Sequence, residues 1–126
     1  MPKILIADDE VNIRLLLQMT LERLNDAGVE LLVAENGVEA LRQIRAHKPE
    51  LVFLDVMMPE MSGYEVCSMV KKTNPVPGVA IILLTAKGQD ADYQAGMNAG
   101  ADQYLTKPFD PDVLLVTAKK ILGLSD

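Results

Sequence analysis

Three short apolar runs and one mixed candidate strand in this chain each lead to polar residues of a pointed kind. Asp8-Asp9 follow Ile4-Leu5-Ile6-Ala7, and Asp55 follows Leu51-Val52-Phe53-Leu54. Thr85-Ala86 follow the long run Val79 to Leu84, and Lys107-Pro108 follow the segment Asp102 to Leu105. Leu51 to Leu54 is wholly apolar, as a central parallel strand covered on both faces must be. If the four strands lie parallel, their terminal residues collect at one edge of the sheet as three carboxylates, a hydroxyl and an ammonium. Such a group fits a divalent cation and a phosphoryl group.

The rest of the chain alternates in step with those runs. Lys3 to Ala7 predicts a first strand, and Val11 to Asn25 a helix, with Ile13, Leu17, Leu21 and Leu24 at three- and four-residue spacings. Asp26-Ala27-Gly28 ends that helix, because glycine takes the left-handed cap conformation cheaply. Glu30 to Ala34 predicts a second strand. Asn36-Gly37 turns into a helix containing Ala40, Leu41 and Ile44, which Lys48-Pro49 stops. Ser62-Gly63 opens a third helix reaching about Lys72, and Gln89 to Asn98 predicts a weaker fourth. Asp110 starts the last helix, in which Val113, Leu114, Val116, Thr117, Ile121 and Leu122 are available to bury one face. Five strands alternating with five helices predict an open, doubly wound α/β sheet.

At 126 residues the chain is expected to be one domain, burying about two thirds of the surface its unfolded form exposes. With 49% hydrophobic and 24% charged residues it belongs among ordered globular domains. The 18 acidic and 12 basic residues give a formal charge of -6. A uniform basic groove for nucleic acid is therefore not expected of this domain. The single cysteine, Cys67, rules out an internal disulfide framework or multi-cysteine zinc cluster and fits a reducing, cytoplasmic setting. No apolar run approaches membrane-spanning length, and Met1-Pro2-Lys3 has no signal-peptide layout. An output domain is expected to be absent or to lie beyond Asp126.

In open parallel sheets the functional crevice forms beyond the carboxyl ends of the strands. Asp8, Asp9 and Asp55 occupy such ends, and carboxylates held together repel each other. Magnesium relieves that repulsion while accepting oxygen ligands. Asp55 alone ends the central apolar strand and is the preferred nucleophile, able to attack phosphorus in line and form an acyl phosphate. Asp8 and Asp9 would hold the metal. Thr85 can donate its hydroxyl to a phosphoryl oxygen, Ala86 can present its backbone N–H, and Lys107 can approach Asp55 and then the phosphoryl group. Solvated strand-end acids with a surface salt bridge are the plain alternative for any one of these residues. Four matched strand ends weigh against it.

The chain resembles the receiver domain of two-component response regulators over essentially all 126 residues. The resemblance rests on Asp8-Asp9, Leu54-Asp55-Val56-Met57-Met58-Pro59, Ser62-Gly63, Leu84-Thr85-Ala86 and Lys107-Pro108-Phe109. It implies a flavodoxin-like (β/α)5 fold with strand order 2-1-3-4-5. It also implies a phosphoacceptor regulatory domain rather than a metabolic enzyme, one that takes a phosphoryl group from a sensor histidine kinase or phosphotransfer protein. Asp55 would be the phosphoacceptor, with Asp8, Asp9, Asp55 and the Met57 backbone carbonyl around Mg2+. Thr85, Ala86 and Lys107 would contact the phosphoryl group, and Lys107–Pro108 would be a cis peptide. Thr85 and Tyr104 would form the switch, Tyr104 turning inward on phosphorylation and altering the face of the fourth helix, fifth strand and fifth helix. That face would then meet a downstream protein or a second copy.

Other residues invite less. His47 sits at a helix end beside Lys48-Pro49, where interaction with terminal carbonyls is expected. Cys67 has no neighbouring cysteine or histidine in sequence to activate it. Met57 and Met58 are expected to be packing and loop residues, and Glu10 to begin or cap the first helix. Met57 and Lys87 occupy positions that vary among receivers, and neither predicts an unusually short-lived acyl phosphate. Other classes fit less well. A haloacid-dehalogenase-like phosphatase generally carries Asp-x-Asp, whereas this chain has Asp55-Val56-Met57. A receiver-like binding module used without phosphorylation would more plausibly lose one of Asp55, Lys107 or the acid pair. Nucleotide binding lacks a glycine-rich phosphate-loop motif.

Overall fold

A computed structural model describes residues 2–86 and 98–124. Its five strands, β1 (Lys3–Ala7), β2 (Glu30–Ala34), β3 (Leu51–Asp55), β4 (Ala80–Ala86) and β5 (Gln103–Lys107), form one sheet. All are parallel, in the order β2-β1-β3-β4-β5. The helices are α1 (Val11–Leu21), α2 (Gly37–His47), α3 (Gly63–Ser68) and a C-terminal helix, Pro111–Leu122. The expected helix over Gln89 to Asn98 lies outside the described residues except for Asn98.

Alternation along the inner strands divides the core in two. Leu5, Ala7, Val52, Leu54, Ile81 and Leu83 face one layer with Ala40, Ile44, Val66 and Val70 of the α2/α3 side. Ile4, Ile6, Leu51, Phe53, Ile82 and Leu84 face the other, with Leu17 and Leu21 of α1 and Leu114 and Ala118 of the C-terminal helix. This is the period-two geometry of a strand, doubled by helices on both sides. Burying Phe53 completely contributes about 1.5–3 kcal/mol.

Local signals set several boundaries. The Asn36 side chain accepts the Glu39 N–H at 2.8 Å and starts α2. Ser62 and Glu65 form a reciprocal capping box on α3, and Asp110 accepts the Asp112 N–H ahead of Pro111. The first helix departs from expectation after Leu21, tightening into a 3-10 turn over Glu22–Ala27 that Gly28 closes at φ +82°. The third relaxes into a π turn over Met69–Thr73, from which Lys71 reaches the Val79 carbonyl and Lys72 that of Asn98.

Two strand ends also differ from the expected ones. β4 continues through Thr85 and Ala86, and β5 runs from Gln103 through Thr106 and Lys107. The ladder pairs Thr85 with Thr106 and Ala86 with Lys107, so backbone hydrogen bonding carries the strands past their apolar runs. Asp102 is outside β5. Its carboxylate accepts the Ile81 N–H at 2.7 Å and meets the Lys71 ammonium at 2.7 Å, so it anchors the strand's entry.

Candidate functional site

The carboxyl ends of β1, β3, β4 and β5 bring the expected residues to one edge. Asp8 follows β1 and is fully buried, Asp55 ends β3 at 3% exposure, and Thr85 is buried in β4. Asp9 and Glu10 are exposed beside them. Lys107 ends β5, and its Nζ lies 2.9 Å from Asp8 Oδ2, 3.2 Å from Asp55 Oδ1 and 3.8 Å from Glu10 Oε1. The Lys107–Pro108 peptide is cis.

The turn after β1 is held by its own side chains. Asp8 Oδ1 accepts the Glu10 N–H at 2.9 Å, the i to i+2 bond that short acids make readily. The Asp8 N–H donates to the Ala34 carbonyl at 3.2 Å. Glu10 caps α1 by position, with no side-chain cap bond. The sequence pattern does not single out Arg14, yet it supports this turn. One guanidinium nitrogen donates to the Asp8 carbonyl at 2.8 Å, and the other lies 3.6 Å from Glu35 beyond β2. The one sequence signal for it is that Arg14 is the lone cation of α1, one turn after the acids.

Asp55 is pushed up to about 7, first by burial and then by the Asp8 charge, with Lys107 and the Met57 N–H acting in the opposite direction. For Lys107, burial acts downward. The hydrogen bond to Asp8 and the charges of Asp55 and Asp8 outweigh it and hold the ammonium above its ordinary range. Among the described residues, one ammonium, that of Lys107, therefore stands against several carboxylates at this edge. Oxygens of Asp8, Asp9, Glu10 and Asp55 all lie within 4.8 Å of one another. This hard, anionic donor set fits a magnesium-type cation, which prefers oxygen and relieves like-charge repulsion. Glu10 joins the set although the sequence points to it only as a helix cap.

Met57 donates its N–H to Asp55 Oδ1 at 3.3 Å, while its side chain is 69% exposed. Of the two expected packing and loop residues, Met57 is the exposed loop residue and Met58 the one that packs against the core. Thr85 Oγ1 donates to the Tyr104 hydroxyl at 2.9 Å, and Tyr104 is half-buried against the α2/α3 core. An amphipathic strand residue would ordinarily turn such a hydroxyl to water; the structure bonds it to Thr85 instead. Ala86 lies beside Lys107 in the ladder. Lys87 is outside the described residues. His47 is exposed at the end of α2, and Cys67 is fully buried, its thiol donating to the Ala99 carbonyl and pushed up to about 11 chiefly by burial.

The response regulator receiver domain model matches residues 4–119. The chain belongs to the response regulator receiver family. It is 44% identical to ycf27 of Pyropia yezoensis, a probable transcriptional regulator, over 98% of this chain and 49% of that protein. It is 41% identical to PhoP of Bacillus subtilis, a transcriptional regulatory protein of alkaline phosphatase synthesis, over 98% of this chain and 50% of PhoP. The chain thus spans about half the length of the curated relatives it matches. Response regulator DrrB of Thermotoga maritima superposes with a TM-score of 0.83 at 37% identity, over 98% of this chain and 53% of DrrB. The observed strand order is that of the receiver fold. As a receiver of the two-component type, the domain has a regulatory role. No helix among its described residues is long and apolar enough to cross a membrane.

Proposed function

We propose that this receiver accepts a phosphoryl group on Asp55 from the phosphohistidine of a sensor histidine kinase or phosphotransfer protein, in a magnesium-dependent reaction. The observation that carries the proposal is the buried Asp8/Asp55 pair facing the Lys107 ammonium at 2.9 and 3.2 Å. A buried surplus of carboxylate is costly to a fold and is retained here at the open end of the sheet.

An Asp55 carboxylate oxygen attacks phosphorus in line. The new O–P bond forms as the P–N bond breaks, and its electron pair leaves with the imidazole of the donor. Asp8, Asp9, Asp55 and the Met57 carbonyl would hold the cation. When bound, magnesium supplies positive charge for the carboxylates and the transferring group. Lys107 already touches Asp55 and can follow the developing charge onto a phosphoryl oxygen. The Ala86 N–H, beside Lys107 in the ladder, offers another donor.

The proposed switch centres on the bond between Thr85 and Tyr104. Thr85 gives its hydroxyl proton to Tyr104. Redirecting that donor to a phosphoryl oxygen removes this bond. The Tyr104 hydroxyl already turns inward to Thr85 instead of awaiting an inward rotation, so the packing of Tyr104 changes with the bond and the surface around β5 changes its partner preference. This is a shift between two packings driven by the charge and acceptor oxygens that phosphorylation adds.

Incubation of the chain with phosphoramidate and magnesium, followed by intact mass, tests the reading. One phosphoryl mass is expected on the native chain and none on Asp55→Asn or in the presence of a chelator. No gain under conditions that modify another receiver would favour a binding module that works without phosphorylation.

A further inference from the structure

We propose that Gly37 is a positioning residue for the magnesium site, acting through Met61 on the segment that carries Met57. The inference rests on the receiver reading above and names a residue outside the acid cluster. Asn36-Gly37 reads from sequence as a simple turn into α2. Yet Gly37 does not adopt a positive φ, so left-handed geometry does not explain the glycine.

Clearance does. A Cβ at Gly37 would lie 1.9 Å from the Met61 carbonyl oxygen, 2.6 Å from its carbonyl carbon and 2.6 Å from Met61 Cβ. Two of those atoms are backbone, so no rotamer change removes the collision. The helix cannot easily retreat. Its first turn is capped by Asn36 at 2.8 Å, Gln43 donates to the Val33 carbonyl at 2.7 Å, and Ala40 and Ile44 are fully buried. The Met61 segment is the side that must give way.

That segment is tied to Asp55 at one end and to its neighbour Val56 at the other. Met57 donates to Asp55 Oδ1 at 3.3 Å, and Gly63 donates to the Val56 carbonyl at 2.9 Å. A Cβ at Gly63 would come within 2.3 Å of the Asp55 carbonyl oxygen, so this end of the loop is also seated on bare backbone. Between them Met61 donates to the Pro59 carbonyl at 2.8 Å, and Glu60 is held at φ +71°, a left-handed conformation that is costly for a side-chain-bearing residue. A loop so constrained passes a displacement of Met61 along to Met57 instead of absorbing it.

The test is calorimetric magnesium binding to the whole 126-residue chain, comparing native protein with Gly37→Ala, Gly28→Ala and Met61→Gly. Gly28 has φ +82° and no atom within 4 Å of the place a Cβ would take, so its alanine variant strains the backbone at the far end of the sheet without a collision. Gly28→Ala is expected to lower the melting temperature and leave magnesium affinity unchanged. Gly37→Ala is expected to bind magnesium about tenfold more weakly, the scale of a lost supporting contact. Met61→Gly keeps the clearance but loosens the segment and is expected to weaken binding in the same direction, which decides the matter if Gly37→Ala does not fold. Native affinity in a folded Gly37→Ala, or in Met61→Gly when Gly37→Ala is unfolded, overturns the inference and leaves the receiver reading intact. No magnesium binding by native protein would overturn both.

Discussion

At the carboxyl end of β5, Lys107 faces Asp8, Asp55 and Glu10 at 2.9, 3.2 and 3.8 Å; at its amino end, Lys71 meets Asp102 at 2.7 Å. The second cluster is balanced: one ammonium, one carboxylate, and further bonds from Lys71 to the Val79 carbonyl and from the Ile81 N–H to Asp102. It is also partly solvated, with side-chain exposures of 22% and 44%. In the first, Asp8, Asp55 and Lys107 are largely buried while Glu10 is 63% exposed, and its described residues carry more negative than positive charge. Charge left unbalanced under burial marks the place where a ligand is needed, whereas charge balanced at the surface serves as a clamp. Removing the same kind of group from each should therefore have different consequences.

Lys107→Ala breaks the comparison most severely. Among the described residues it leaves buried Asp8 and Asp55 with no neighbouring ammonium, and a loss of about 3–5 kcal/mol is expected in denaturant unfolding at pH 8 with a chelator present. Adding Asp55→Asn to that variant should return part of the loss.

The pH dependence follows in size. Asp55 is raised from 3.8 to about 7 in the folded protein. Below the lower value both states hold the proton. Between the two, the unfolded chain releases it while the folded one retains it, so rising pH favours unfolding until the folded group also ionises. A tenfold difference in proton affinity between the two states is worth about 1.4 kcal/mol, so this single group lowers stability by up to about 4 kcal/mol between roughly pH 4 and pH 7. The difference between native and Asp55→Asn stability should trace that fall, with the Asn variant ahead at neutral pH. Equal curves for the two proteins would remove Asp55 from the charge surplus.

Magnesium should then repay part of the cost at pH 7.5, raising stability by about 2.7 kcal/mol at a hundred times its dissociation constant. Chelation should reverse the gain, and Asp8→Asn should blunt it. Asp102→Asn marks the small end of the series. The Lys71 pair is partly exposed and should be worth about 1 kcal/mol or less, screened by salt and indifferent to magnesium. A magnesium response in Asp102→Asn equal to the native one, seen by thermal denaturation, would keep the two clusters separate.

The residues that can be placed from sequence are those whose chemistry and pattern agree. β1, β2 and α2 fall within their expected limits because apolar periodicity and caps point the same way. Asp8, Asp9, Asp55 and Thr85 are legible because each follows an apolar run in a parallel sheet, and Lys107 because it closes the last candidate strand. What escapes is set by partners distant in sequence. Lys107 belongs to β5 through the pairing that continues from Thr85–Thr106 to Ala86–Lys107, not through its own propensity. Asp102 reads as part of the strand because its actual role depends on Lys71 and Ile81. Arg14 and Gly37 bear on the site through a carbonyl of Asp8 and a carbonyl of Met61, contacts that leave no trace in spacing.

The most direct test of the unbalanced carboxyl edge is a carbon-detected NMR titration of the Asp55 side-chain carboxyl, with and without saturating magnesium. A midpoint near 7 is expected in the metal-free protein, moving to distinctly lower pH when magnesium is bound. A midpoint in the ordinary carboxylate range that ignores magnesium would contradict the assignment of this edge as the cation and phosphoryl site.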